Sequence, residues 1–218
     1  GGEHGLHKLG MLMERNPDLL YMPNPAGVTP LVKIIGTKNS QSYFDFLFRI
    51  DPSIITCRDH KNRSLLHLAV KKGKIEILEY LLKHTDLLHT TDFVGRTVLH
   101  YAAMRSSNEQ LELLLDHYGD LEGIPVKDDY GLSPMHLACQ FGNLAGVQLF
   151  YKYQLFTDMT DKGDSPQCTA VELVIENGLS NVLEYLIMQN GKEFFKSHCA
   201  FKDVFSAVKN AQFQTACQ

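Results

Sequence analysis

A four-residue motif returns at a nearly constant interval along most of the chain, and that interval limits the possible folds more than any other feature. Ser64-Leu65-Leu66-His67, Thr97-Val98-Leu99-His100 and Ser133-Pro134-Met135-His136 share one pattern. Thr169-Ala170-Val171-Glu172 follows them, and Thr29-Pro30-Leu31-Val32 precedes them. The first residues of successive tetrads lie 35, 33, 36 and 36 positions apart. A period of about 20–50 residues marks stacked units, each too small to bury its apolar face alone.

The surroundings of each tetrad repeat as well. An Asp stands five residues before the Ser or Thr at Asp59, Asp92, Asp128 and Asp164, and a Gly two residues before it at Gly27, Gly95 and Gly131. Ala69, Ala102 and Ala138 come next, then Gly73, Gly142 and Gly178. An apolar cluster closes each unit, such as Leu78-x-Tyr80-Leu81-Leu82 and Leu183-x-Tyr185-Leu186-Ile187. Phe44-x-Phe46-Leu47-Phe48 fits the same core positions after a one-residue shift. Over about residues 24–190 this pattern resembles the ankyrin repeat, Asp-x-x-Gly-x-Thr-Pro-Leu-His-x-Ala followed by a second helix.

The resemblance implies an all-α solenoid of helix-turn-helix units with hairpin-like loops. Five units are expected, over about 24–58, 59–91, 92–127, 128–163 and 164–190. Residues 1–23 read as an amino-terminal helical cap, with Leu6, Leu9, Leu12 and Met13 at helical spacing. Residues 191–218 read as a carboxyl-terminal helical cap or tail, with Phe194, Phe195, Phe201, Val204, Phe205 and Val208 as its apolar side.

Ser64, Thr97, Ser133 and Thr169 suit the N-cap of each first helix, where a side-chain oxygen accepts from orphan backbone N–H groups. The resemblance implies that His67, His100 and His136 hydrogen-bond back to that hydroxyl and to nearby backbone. Glu172, three residues after Thr169, makes a capping box instead. Val32 can return no such bond, so the first unit is expected to start less firmly. Gly73, Gly142 and Gly178 suit the left-handed end of the first helix, where Ser106 departs from the pattern.

Composition removes most other classes. Apolar residues make up 44% and charged residues 21%, which argues against disorder. A net charge of −4 disfavours a basic nucleic-acid binder, and no apolar run approaches membrane-spanning length. Five dispersed cysteines suit reduced thiols and a cytoplasmic setting, or the host cytosol for a secreted effector. The ten histidines form no zinc-ligand pattern, and no nucleophile-elbow, phosphate-loop or dinucleotide motif is present. Neither cofactor, metal nor enzymatic activity is expected.

In ankyrin proteins, partners touch the hairpin tips and the exposed side of the first helix. Carried over by position, these are Lys61, Arg63, Lys71 and Lys72; then Phe93, Arg96, Met104 and Arg105; then Tyr130, Leu132, Gln140 and Phe141. Aromatics, Met and Arg are the types enriched at interface cores. The expectation is a protein-interaction module binding a partner helix or extended segment in the groove between hairpins and first helices. Phe93, Met104, Tyr130 and Phe141 are expected to share one patch over two adjacent units. A regulatory or targeting domain of a larger enzyme, channel or bacterial effector is the alternative. An active site in the 152–168 connector or the tail is a weaker one, drawing on Asp158, Asp161, Asp164 or His198 with no motif behind them.

Overall fold

The computed structural model describes residues 2–20, 22, 24–25, 29–37, 40–84, 87–105, 108–118, 126–162 and 169–191. The stripe at 194–208 and Ser106, Asp164, Cys168, His198, Cys199 and Cys217 lie outside them, as do the side chains of His4, Leu6, Leu12 and Met13. Among the described residues the chain is helical; Arg58 with Ser64 and Lys162 with Thr169 form isolated bridges. Two compact units are present, Gly1–Tyr101 with Leu113–Pro125, and Ala102–Glu112 with Val126–Gln218.

In the first unit α1 (Gly2–Arg15) precedes α2 (Pro30–Ile35), α3 (Ser40–Ile50), α4 (Leu65–Lys72) and α5 (Ile75–His84). Helices this short are marginal by themselves and draw their stability from packing. α2 packs on α3 and α4, while α5 packs on α3 and α4. Leu31, Ile35, Phe44, Leu47, Leu66, Ile77 and Leu81 are fully buried between them. The aromatic run of α3 belongs to this packing, since Phe44 and Phe48 both meet the edge of Tyr80, at 5.6 and 5.3 Å. Full burial of a residue such as Phe44 contributes about 1.5–3 kcal/mol. α1 lies close on α3: a Cβ at Gly10 would stand 3.0 Å from the Phe46 ring.

α6 (Val98–Ala103) and α7 (Asn108–Tyr118) each have residues in both units. The second unit continues with α8 (Pro134–Gln140), α9 (Leu144–Lys152), α10 (Ala170–Glu176) and α11 (Ser180–Asn190). The same scheme recurs, α8 packing on α9 and α10, and α11 on α9 and α10. Leu137, Val147, Phe150, Val174 and Leu186 fill its core. Cys139 is buried there as a free thiol, and burial alone pushes it up to about 12, so it is core filler rather than a nucleophile.

The first helices end as their glycines suggest. Gly73, Gly142 and Gly178 have φ of 69, 68 and 66°, a region closed to most side chains. α2 starts loosely, with Thr29 Oγ1 accepting from Val32 N–H at 3.4 Å and an apolar side chain where the other units carry His or Glu.

Candidate protein-interaction surface

The tetrads form a buried polar relay. Ser64 Oγ, Thr97 Oγ1 and Ser133 Oγ each lie 2.8 Å from Nδ1 of His67, His100 and His136. The backbone N–H of the same Ser or Thr also donates to that Nδ1, at 3.3, 3.1 and 3.3 Å. A backbone N–H can only donate, so Nδ1 must be unprotonated and the ring proton sits on Nε2. His67 Nε2–H then donates to the Arg96 carbonyl at 3.0 Å, and His136 Nε2–H to that of Asp161 at 3.1 Å. Each of these rings caps its own helix and holds the backbone ahead of the next one. Burial pushes His67 down to about 4, and burial likewise lowers His136. The rings are neutral structural groups. Among the described residues no cluster of His, Cys, Asp or Glu could hold a metal ion.

The repeated Asp shapes each loop. Asp59 Oδ1 accepts from the N–H groups of Lys61 and Arg63, both at 2.9 Å. Asp92 does the same for Val94 and Arg96, and Asp128 for Tyr130 and Leu132. These carboxylates are buried, at 5–7% exposure, so they set the tips and leave the intervening side chains to solvent.

Two of the expected contact residues need correction. Arg63 is 6% exposed, because its guanidinium turns back onto Asp59 Oδ2, with Nε at 2.8 Å. Burial alone would raise the Asp59 carboxyl, but the Arg63 guanidinium and the two backbone donors hold it below its ordinary value. Leu132 is 7% exposed, packed inward as an apolar side chain. Neither presents a surface to a partner.

The other ten positions are accessible. Lys61, Lys71, Lys72, Phe93, Tyr130, Gln140 and Phe141 are exposed, and Arg96, Met104 and Arg105 are half-buried. Phe93, Tyr130 and Phe141 stand out at 70%, 49% and 57% exposure. Lys61, Lys71, Lys72, Phe93 and Arg96 belong to the first compact unit, and Met104, Arg105, Tyr130, Gln140 and Phe141 to the second.

Two asparagines escaped the sequence reading. Asn62 occupies the place of Gly95 and Gly131 and shares their left-handed backbone, φ 59° against 72° and 71°. Its side chain donates to the Thr91 carbonyl at 3.0 Å, which no glycine could do. Asn143 caps α9 by accepting from Gly146 N–H at 3.0 Å and donates to the carbonyls of Ala103 and Arg105. It thereby satisfies the end of α6, the helix that lacks a terminal glycine. Asn at a left-handed position was the available signal for the first; the second carried none beyond its N-cap preference.

Paired short helices, Asp-shaped loops and a buried His relay define a protein of stacked helical repeats. A family model described as ankyrin repeats (3 copies) matches residues 34–124 and 66–162, and the chain belongs to that family. No curated protein matches it. Ankyrin repeats are generally protein–protein interaction modules, and the fold is typically non-catalytic. Among the described residues no helix is long and apolar enough to cross a membrane.

Proposed function

We propose that the chain is a non-catalytic interaction module that binds a partner protein through its loop tips and the exposed ends of its first helices. One observation carries this reading: large aromatic side chains, Phe93, Tyr130 and Phe141, project into solvent at the loop and helix-end positions ankyrin proteins use for contact. Isolated surface apolars are ordinary, but Tyr130 and Phe141, on the loop tip and the first-helix end of one repeat, are the residue type an interface core uses. The buried Asp and His groups hold these places rigidly, so little ordering cost accompanies docking.

The test is partner capture by the full chain from a lysate, followed by calorimetry with the recovered protein. Tyr130→Ala combined with Phe141→Ala should weaken binding by about 1–4 kcal/mol while circular dichroism stays unchanged. Wild-type affinity in that variant would move the interface elsewhere. Loss of helix would show that the two rings support the fold.

A further inference from the structure

The first helices do not all end on the same chemistry. At the same two positions after the N-cap, α4 closes on Lys71 and Lys72, α8 on Gln140 and Phe141, and α10 on Glu176 and Asn177. The end of a helix favours a cation, and α10 carries a carboxylate there instead, with no basic residue in its last turn. Glu176 is exposed and makes no ion pair among the described residues. The other carboxylates' lysine partners in this compact unit are committed, Lys127 Nζ to Asp161 at 2.5 Å and Lys152 Nζ to Glu112 at 2.8 Å.

This carboxylate has an exposed ring for a neighbour. Phe141 and Glu176 belong to adjacent repeats whose first helices pack directly, α8 on α10. The helix ends themselves are close: a Cβ at Gly142, the residue after Phe141, would stand 2.9 Å from the side chain of Leu179. Asn177 follows Glu176 as the C-cap of α10, its Nδ2 donating to the Leu173 carbonyl at 2.7 Å, and its Oδ1 remains as an acceptor. An exposed ring, an unpaired carboxylate and an amide oxygen thus come together at the ends of two neighbouring helices. A guanidinium uses all three, since its plane lies flat on an aromatic face while its fork of N–H donors reaches the oxygens. An ammonium is a point charge that pairs with the carboxylate and cannot stack in that way.

We propose that Phe141, Glu176 and Asn177 hold an arginine side chain of the partner protein, its guanidinium stacked on the Phe141 ring and hydrogen-bonded to the Glu176 carboxylate. This rests on the protein-binding reading above and names the residue that the partner supplies. The arginine brings positive charge to the end of α10, where the helix favours it and the chain itself places none. Charge-assisted bonds to the carboxylate fix its direction, and the ring covers its face.

The experiment titrates the full chain with a labelled peptide of three arginines separated by serines, following anisotropy and backbone amide shifts. Matched peptides carry citrulline, which keeps the planar head without its charge, or lysine, which keeps the charge without the plane. The arginine peptide should bind, shift the amides of Phe141, Glu176 and Asn177, and weaken with salt. Citrulline should bind at least about tenfold more weakly, and lysine about threefold. Glu176→Gln should weaken the arginine peptide about fivefold or more, and Phe141→Leu, which keeps an apolar side chain without the ring, about threefold or more. Phe93→Ala should leave it unchanged. No binding of the arginine peptide, equal binding of the citrulline or lysine version, or full binding by Glu176→Gln or Phe141→Leu overturns the assignment. A thermal midpoint measured on each variant separates a lost contact from a lost fold. If the peptide fails while Tyr130→Ala with Phe141→Ala still weakens the captured partner, the arginine assignment alone falls. Full affinity of that variant for the captured partner, with peptide binding intact, removes the reading above alone.

Discussion

His67 and Glu172 occupy the same place in their repeats, yet they reach different distances. Both return a bond to their N-cap: Ser64 N–H donates to His67 Nδ1, and Thr169 N–H to Glu172 Oε2 at 2.7 Å. The carboxylate also accepts from the Thr169 hydroxyl at 3.1 Å, so both of these bonds close within one turn. The imidazole has a second nitrogen on its far side, which reaches the Arg96 carbonyl 29 residues on. Glu caps a helix; His caps it and ties it to the backbone of the following repeat. In repeats whose stability comes from neighbours, that second bond acts at an interface.

Acid is expected to break the comparison most strongly. The folded pKa of His67, about 4, lies below the ordinary 6.5, so between those values the unfolded chain binds the proton that the folded chain refuses. Stability is therefore full above about pH 6.5 and falls as pH drops toward 4, by on the order of 3 kcal/mol from His67 alone. His136, lowered by the same cause, adds a loss of the same sign. Asp59 has a depressed pKa and acts in a lower window, its contribution being lost only as pH falls below about 3.8. Urea midpoints between pH 7.5 and 4.5 should show the decline; a flat profile would contradict a neutral buried relay.

Next comes His67→Ala or His136→Ala, expected to cost about 1–3 kcal/mol each in urea denaturation by stranding a buried N–H and a carbonyl. Glu172→Ala should cost less, about 0.5–2 kcal/mol, because only a cap is lost. Glu172→Gln keeps an acceptor for the Thr169 N–H and should cost under about 0.5 kcal/mol. If Glu172→Ala proved as costly as His67→Ala, the bridging bond would carry no weight.

The repeat period, the tetrads and the terminal glycines were legible because each rests on local chemistry that must recur at a fixed offset. Arg63 was not. It shares its register with Arg96 and Leu132, and nothing in the spacing says which side chain folds inward. The structure shows why they diverge: Asp59 Oδ2 is taken by Arg63, whereas Asp92 Oδ2 takes the Tyr101 hydroxyl and Arg96 stays half-buried. Leu132, lacking charge, follows its apolar side chain inward. Asn62 was hidden because a reading that looks for glycine passes over the other residue able to turn left-handed. Surface rings such as Phe93 were legible only through the ankyrin resemblance, which separates loop tips from core.

His67 and His136 are neutral structural bridges in the folded chain. Imidazole nitrogen NMR of the ¹⁵N-histidine-labelled chain, followed from pH 7.5 to 5, tests it most directly. His67 should hold the Nε2–H form with a bare Nδ1 through pH 5, and His136 should show the same tautomer at neutral pH. An Nδ1–H form, or a His67 imidazolium already present at pH 5, would contradict the claim.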